Sequence, residues 1–549
     1  MKKLIISFIF LILISKIGIS QTAKVSEAEI TVGKPYEVID AYYKMYIIKD
    51  GKILSFKRTM SALKMQLFDL KTLTELQSKD ITDIHGGYSI ECIKEFKGTI
   101  FLFYSLWDNV NLKEQLFCRE IDFNKFSFKG QDRLLATVDG KVTQYNGQDL
   151  VINRFTAYGA MDIDKFNIQT SYDSTKVLIQ YRKAPTDKKD ITNKDIIGLY
   201  VFNNAMELIN GKEYTMPYTD SRMDNIDYLI DSDGNVYTLA TVFNEEDDFT
   251  VQYKDGKPNF HLELICLQQK TKDFRTTKFD LGINVVNNFY LFEKSNKQIC
   301  CAGFYNEVKN IKYYSDIENA SGIMMFKTDK NGEARNFQLY KFSDDVLNQN
   351  ASKKEKDKNK ETAIANVQLR QLVLQKDGSM IIVGEQFYYT GLNKQNNVNM
   401  YQSHYLDMVI TKIDSNDKLV WTQRLPKRQQ GMYLRGNLSC KYINSENNHY
   451  LVFIDNIKNL SIPPNKQLAI HQEGVCGYVM AYKISDAKGD VSKIPLFNTK
   501  EYNGMKLEQF RVDRILKTQN DEFVIEFYKN QKEDILIKAN FNKEENSKN

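Results

Sequence analysis

An all-β fold built from repeated antiparallel units is what this 549-residue sequence predicts, and three observations carry it. Pairs of short apolar strands recur around polar turns, a second strand–turn–strand figure follows most of them, and helix signals are nearly absent. Two hairpins in succession make a four-stranded antiparallel unit, and such units repeated around a ring leave only short, protected sheet edges. The predicted architecture is a β-propeller of four-stranded antiparallel blades. Eight blades are favoured. Seven is the alternative count, because the first two copies fit loosely, and a pair of β-sandwich domains is the structural alternative.

The first hairpin figure is clearest in DYLIDSDGNVYTLATVFN (Asp227–Asn244). It returns over Phe289–Asn306, Gln371–Tyr389, Cys440–Asn456 and Asp513–Asn530, and more loosely over Asn167–Lys183, Ser89–Ser105 and Lys44–Arg58. The second figure spans Leu262–Leu281, Met324–Phe342, Val409–Lys427, Gly477–Phe497 and Gly198–Met216, with Met65–Ile81 as the earliest copy. Turns near Gly234, Lys297, Gly378, Asn448 and Asp521 set a repeat of about 60–80 residues, longer than compact blades of roughly 40–50. Long connections are therefore expected, among them Ser343–Asn366 and Tyr388–His404. Strands such as VYTLATVF and MIIVG are apolar on both faces, as sheets sandwiched between sheets require. The last copy is one strand short, and Glu27–Asp40 (EAEITVGKPYEVID) is available to complete it.

The first 20 residues combine Lys2 and Lys3, an apolar run from Leu4 to Ile14, and small residues at Gly18 and Ser20. This is the layout of a signal peptide cleaved near Ser20–Gln21, leaving residues 21–549 as a single propeller. A spanning helix needs roughly 20 apolar residues, and Lys16 interrupts this run too early. No integral membrane span is expected after cleavage, and the expected location is periplasmic or extracellular. Setting aside Lys2, Lys3 and Lys16 leaves 72 basic against 70 acidic residues. So even a balance disfavours nucleic acid as a partner. The run KKEKDKNKE (Lys353–Glu361) mixes both signs and reads as a solvated loop. Seven cysteines without regular spacing read mainly as buried thiols, with one or two disulfides as the alternative.

Chemistry is harder to find. Asp231 and Asp233 in DSDGN lack the alternating ligands and closing Glu of a calcium loop. The sister turns EKSNK, QKDGS, NSENN and KTQND do not keep the acids, so a tight turn is expected and no metal or other cofactor. Asp boxes, a repeated WD dipeptide, repeated kelch glycines, GxSxG, HExxH and Walker loops are all missing. His449 follows a turn and is expected to be exposed; His471 is expected to be a surface histidine in a loop. Across nearly its full length after residue 20 the chain resembles the broad class of exported β-propeller proteins. That resemblance rests on repeat rhythm and turn chemistry and implies no particular activity.

The strand before each main turn should be the innermost. Several copies place polar residues there at period two: Lys165/Asn167/Gln169, Asn225/Asp227, Gln368/Arg370, Asn437/Ser439/Lys441 and Gln509/Arg511/Asp513. Asp227, Arg370, Arg511 and Asp513 are accordingly the candidate ligand-binding set facing a central funnel; no catalytic residue is assigned. The expected function is non-catalytic binding of a protein, peptide or glycan through the loops or funnel. The alternative is a glycan or peptide hydrolase or lyase with an acid/base pair in the funnel. Close carboxylates with displaced pKa values at one mouth of the ring would favour the enzyme.

Overall fold

The computed structural model describes residues 28–541 apart from the segments 144–164, 186–192, 245–252, 312–317, 350–361 and 432–436 and scattered shorter stretches. The expected signal segment and the charge run Lys353–Glu361 lie outside the described residues. Eight four-stranded antiparallel blades follow one another along the chain. In blades 1 to 7 the first strands are Tyr43–Lys49, Tyr88–Phe96, Asn167–Thr170, Met223–Ile230, Asn284–Glu293, Val367–Leu374 and Lys441–Asn444. First strands of consecutive blades meet, as Asn284–Glu293 meets both Met223–Ile230 and Val367–Leu374, which makes them innermost.

Eight apolar clusters fill the eight blade–blade junctions. Alternation along a strand explains how one sheet serves two of them. Adjacent Cys300 and Cys301 point to opposite faces: Cys300 packs with Val367 and Ile382 of blade 6, Cys301 with Leu264 of blade 4. All seven cysteines are free thiols. Burial pushes the Cys300 thiol up to about 12, the behaviour of an inert core group.

The ring closes as the sequence anticipates. Glu29–Val32 is the outer strand of blade 8, pairing antiparallel with Glu533–Asn540, Glu29 opposite Asn540 and Val32 opposite Ile537. Gly33 N–H continues the contact to the Leu536 carbonyl at 2.9 Å. The DSDGN turn is also as expected. Gly234 has φ +88°, and Asp231 Oδ1 accepts from Asp233 N–H at 3.0 Å and Asn235 N–H at 2.8 Å. Its Oδ2 accepts from Asn235 Nδ2 at 2.7 Å and Tyr237 Oη at 3.0 Å. The acid's lone pairs serve its own loop.

Four expectations need correction. Tyr388–His404 is no loop: Met380–Gln395 and Val398–Ile413 continue as one long hairpin, with Tyr388 opposite His404. Within Ser343–Asn366, Asp344–Asn348 is a short helix capped by the Ser343 side chain. His449 is buried, its Nδ1 2.8 Å from Tyr442 Oη and its Nε2 2.9 Å from Asp486 Oδ1, because the following second hairpin returns Asp486 over it. His471 is buried as well, in the short strand His471–Gln472 beside Gln429–Gly431, and burial lowers it to about 4.

Candidate functional site at the ring closure

The junction between blades 8 and 1 departs from an apolar filling. Val524 and Leu536 of blade 8 pack on Ile53 and Phe68 of blade 1, as at any other junction. At the next alternate positions on the same faces stand Glu526 and Asp534, and opposite them Lys44, Tyr46 and Lys57. Lys44 and Lys57 are direct cross-strand partners, so their ammonium groups emerge side by side. Lys44 Nζ lies 2.6 Å from Glu526 Oε1 and 3.2 Å from Asp534 Oδ2. Lys57 Nζ, with 0% side-chain exposure, lies 3.1 Å from Glu526 Oε2 and 3.5 Å from Asp534 Oδ2. Tyr46 Oη donates to Glu526 Oε2, and Lys57 Nζ sits 4.9 Å from the centre of the Tyr36 ring. One buried and one partly buried cation thus face two buried carboxylates.

Burial alone would raise both acids. For Glu526 the charges of Lys57 and Lys44 outweigh burial and hold it well below the usual range. For Asp534 burial dominates, the charge of Glu526 adds to it, and the carboxyl is raised to about 6. Lys57 is lowered by burial despite Glu526. The pair therefore separates into a firmly ionised Glu526 and an Asp534 that gains a proton in mildly acidic solution.

A cavity of about 390 Å³ opens beside this cluster. Its walls are the strap Val38–Ala41 that joins the closing strand to blade 1, Lys44 of the innermost strand, Phe527, Tyr528, Glu526 and Asp534 of blade 8, and Phe510, Arg511 and Arg514 from blade 8's inner edge. The Arg514 guanidinium has no hydrogen-bond or ion-pair partner among the described residues, although its charge acts at the Tyr46 hydroxyl.

Of the four candidates from the sequence, Arg511 lies in this cavity. The inner edge of blade 8 is not the continuous strand expected there. It breaks into Leu507–Glu508, a 3-10 turn at Val512–Arg514 and Leu516–Lys517, so the period-two reading fails over these residues. Asp513 has its backbone in that turn; its side chain lies outside the described residues. Arg370 stands at a β-bulge between Leu369 and Gln371, which turns it between blades instead of into the funnel. Its Nε lies 2.9 Å from buried Glu385, which also takes Lys427 Nζ at 2.8 Å and Ser439 Oγ at 2.6 Å. Asp227 follows a similar bulge and accepts from Leu291 N–H of blade 5 at 2.7 Å. Asp227 and Arg370 are thus engaged at two other junctions, away from Arg511.

Lys44, Lys57, Glu526 and Asp534 were not legible as a site. The available signal is an isolated charge in a strand apolar on both faces, as Glu526 in EFVIEFYK and Lys57 in ILSFK, because such a charge must find a partner. The partner itself lies 469 residues away in sequence.

The fold and its closure define a β-propeller with an N-terminal outer strand. No protein-family model matches the chain, and no curated protein matches it in sequence. Among solved structures, a prolyl endopeptidase aligns at 11% identity and TM-score 0.38, covering 91% of this chain and 55% of its own. The acylaminoacyl peptidase of Pyrococcus horikoshii aligns at 10% and 0.36, covering 90% of this chain and 57% of its own. The propeller domain of the trilobed protease from Pyrococcus furiosus aligns at 9% and 0.31, covering 73% of this chain and 97% of its own. This chain therefore spans little more than half the length of the first two peptidases. The propeller is read from this chain's own sheets, and likeness at this level carries no argument about function.

Proposed function

We propose that the protein is an exported, non-catalytic propeller that binds a glycan, peptide or protein ligand in the cavity between blades 8 and 1. The observation that supports this reading is the cavity wall. The ion cluster at its back is saturated by its own members, while Arg514 faces the space without a partner among the described residues. A preorganised concave site with a few convergent polar groups is the usual form of a ligand pocket. The test is a glycan and peptide array probed with the wild type and with Ala41→Trp, which fills the cavity from the strap. Binding by the wild type that disappears in Ala41→Trp, with the melting temperature held within a few degrees, supports the reading; array binding untouched by Ala41→Trp removes it.

One observation favours the second reading, a hydrolase or lyase. Asp534 with a carboxyl at about 6 beside an ionised Glu526 is the separation of acid and base that such chemistry uses. On that reading Asp534→Asn abolishes release of product from an array ligand while binding persists.

A further inference from the structure

We propose that the cavity takes an acidic saccharide, its uronate carboxylate paired with Arg514 and its ring lying along Tyr528 and the strap Val38–Ala41. The inference rests on the reading of this cavity as the ligand site and names the class of ligand.

Charge comes first. Lys44 and Lys57 each face Glu526 and Asp534, so these four groups largely satisfy one another. Arg511 and Arg514 bring two more cations from the inner edge of blade 8, and Asp40 brings one carboxylate at the mouth. Protonating Asp534 makes the cavity wall more positive by one charge. A half-buried guanidinium without a counter-ion is completed best by a carboxylate, which it grips through two parallel N–H···O bonds.

The remaining walls suit a sugar. The Asp40 side-chain oxygens can accept from O–H donors such as ring hydroxyls. Tyr528 offers an aromatic ring and a hydroxyl, a body for the apolar face of a pyranose and a polar tip. A cavity of about 390 Å³ is near the lower end of ligand pockets, room for one sugar unit of a longer chain entering from the mouth. A peptide C-terminus would share the carboxylate but has no pyranose face to lie along Tyr528.

Acid should strengthen the interaction. Asp534 interacts with Lys44, Tyr46 and Lys57 of blade 1, Tyr36 of the closing segment and Glu526 of its own blade, and the titratable or charged groups that line the same cavity are Asp40, Tyr528, Arg511 and Arg514. Protonating Asp534, which burial and Glu526 raise to about 6, removes a negative charge from the cavity wall while a uronate stays ionised.

The experiment is calorimetric titration of the full chain with D-galacturonate, its methyl ester and N-acetyl-alanyl-alanine, for the wild type, Arg514→Gln and Arg514→Lys. The expected result is galacturonate binding at least about tenfold tighter than the ester and tighter at pH 5.5 than at pH 8. Arg514→Gln should weaken it about tenfold or more, and Arg514→Lys should fall between. The ester binding as well as the acid overturns the proposal, as does Arg514→Gln behaving as wild type or no probe binding. Tighter binding of the dipeptide acid also overturns it and assigns the cavity to peptides. Should the array show cavity-dependent binding of neutral ligands only, the acidic-saccharide proposal falls while the cavity remains the ligand site.

Discussion

The junctions between blades 6 and 7 and between blades 8 and 1 use the same device and finish it differently. In each, the second strand of the leading blade turns a glutamate toward the following blade, and two cations meet it: Arg370 and Lys427 around Glu385, Lys44 and Lys57 around Glu526. At the 6–7 junction the arrangement is sealed. Glu385 and Lys427 are both at 0% side-chain exposure, Ser439 supplies a further donor, and the Phe387 and Tyr405 rings cover Arg370. At the 8–1 junction a second acid, Asp534, shares the cations, and about 390 Å³ of space lies alongside. The apolar cluster there is small, seven buried residues among those described, against twenty-one at the 7–8 junction. A buried ion group surrounded by packing is architecture. The same group beside open space is available to a ligand.

The largest expected effect comes from removing the glutamates. Glu385→Gln and Glu526→Gln each leave two cations short of an anion, and each should lose about 3–5 kcal/mol in urea denaturation. If the 6–7 junction is the more tightly sealed, Glu385→Gln is the worse, because Asp534 remains to face Lys44 and Lys57. Equal or reversed losses would erase that distinction.

Ring closure is tested next at Gly33. A Cβ there would meet the Leu73 carbonyl oxygen at 2.6 Å and the Leu73 side chain at 2.7 Å, so the closing strand must shift. Gly33→Val should cost about 1–3 kcal/mol and speed hydrogen exchange across Glu533–Asn540. Unchanged exchange would mean the closing strand is held elsewhere.

The pH profile separates the two junctions further. The Asp534 carboxyl is raised to about 6 from the roughly 3.9 of a free aspartate. Between those values the folded protein keeps a proton the unfolded chain has released, so its contribution to stability is full below about pH 4 and declines toward pH 6. Glu526, depressed in the folded state, has the opposite sign: its contribution is present above about pH 4.3 and is lost as pH falls further. Denaturation between pH 4.5 and 6.5 should therefore show a downward slope for the wild type that Asp534→Asn lacks. At the other extreme, Lys297→Ala removes an exposed, solvent-screened pair with Asp233 and should leave the denaturation midpoint where it is in the wild type.

Architecture was legible because it repeats. Gly234 and Gly378 mark turns at positive φ, and both faces of the following strands are apolar, so local residues carry the blade signal. The strand EITV was legible by subtraction, one blade being short of an edge. The site was not legible, since bulges at Leu369/Gln371 and Asn225/Asp227 reverse which face Arg370 and Asp227 present. Blade 8's inner edge breaks the repeat, and the break puts Arg511 and Arg514 into the cavity. His449 misled for a related reason: its own neighbours in NSENNHY are polar, and the residues that bury it come from the returning hairpin.

The central claim is that the 8–1 junction is polar for the sake of a ligand and not for the sake of the ring. Buried ion groups replaced together by apolar side chains of similar volume commonly leave stability unchanged or improved by about 1–4 kcal/mol. The direct test is array binding by the concerted variant Lys44→Met, Lys57→Met, Glu526→Leu and Asp534→Leu. The predicted result is a folded protein that no longer captures the ligands bound by the wild type; a folded variant that captures them undiminished would contradict the claim.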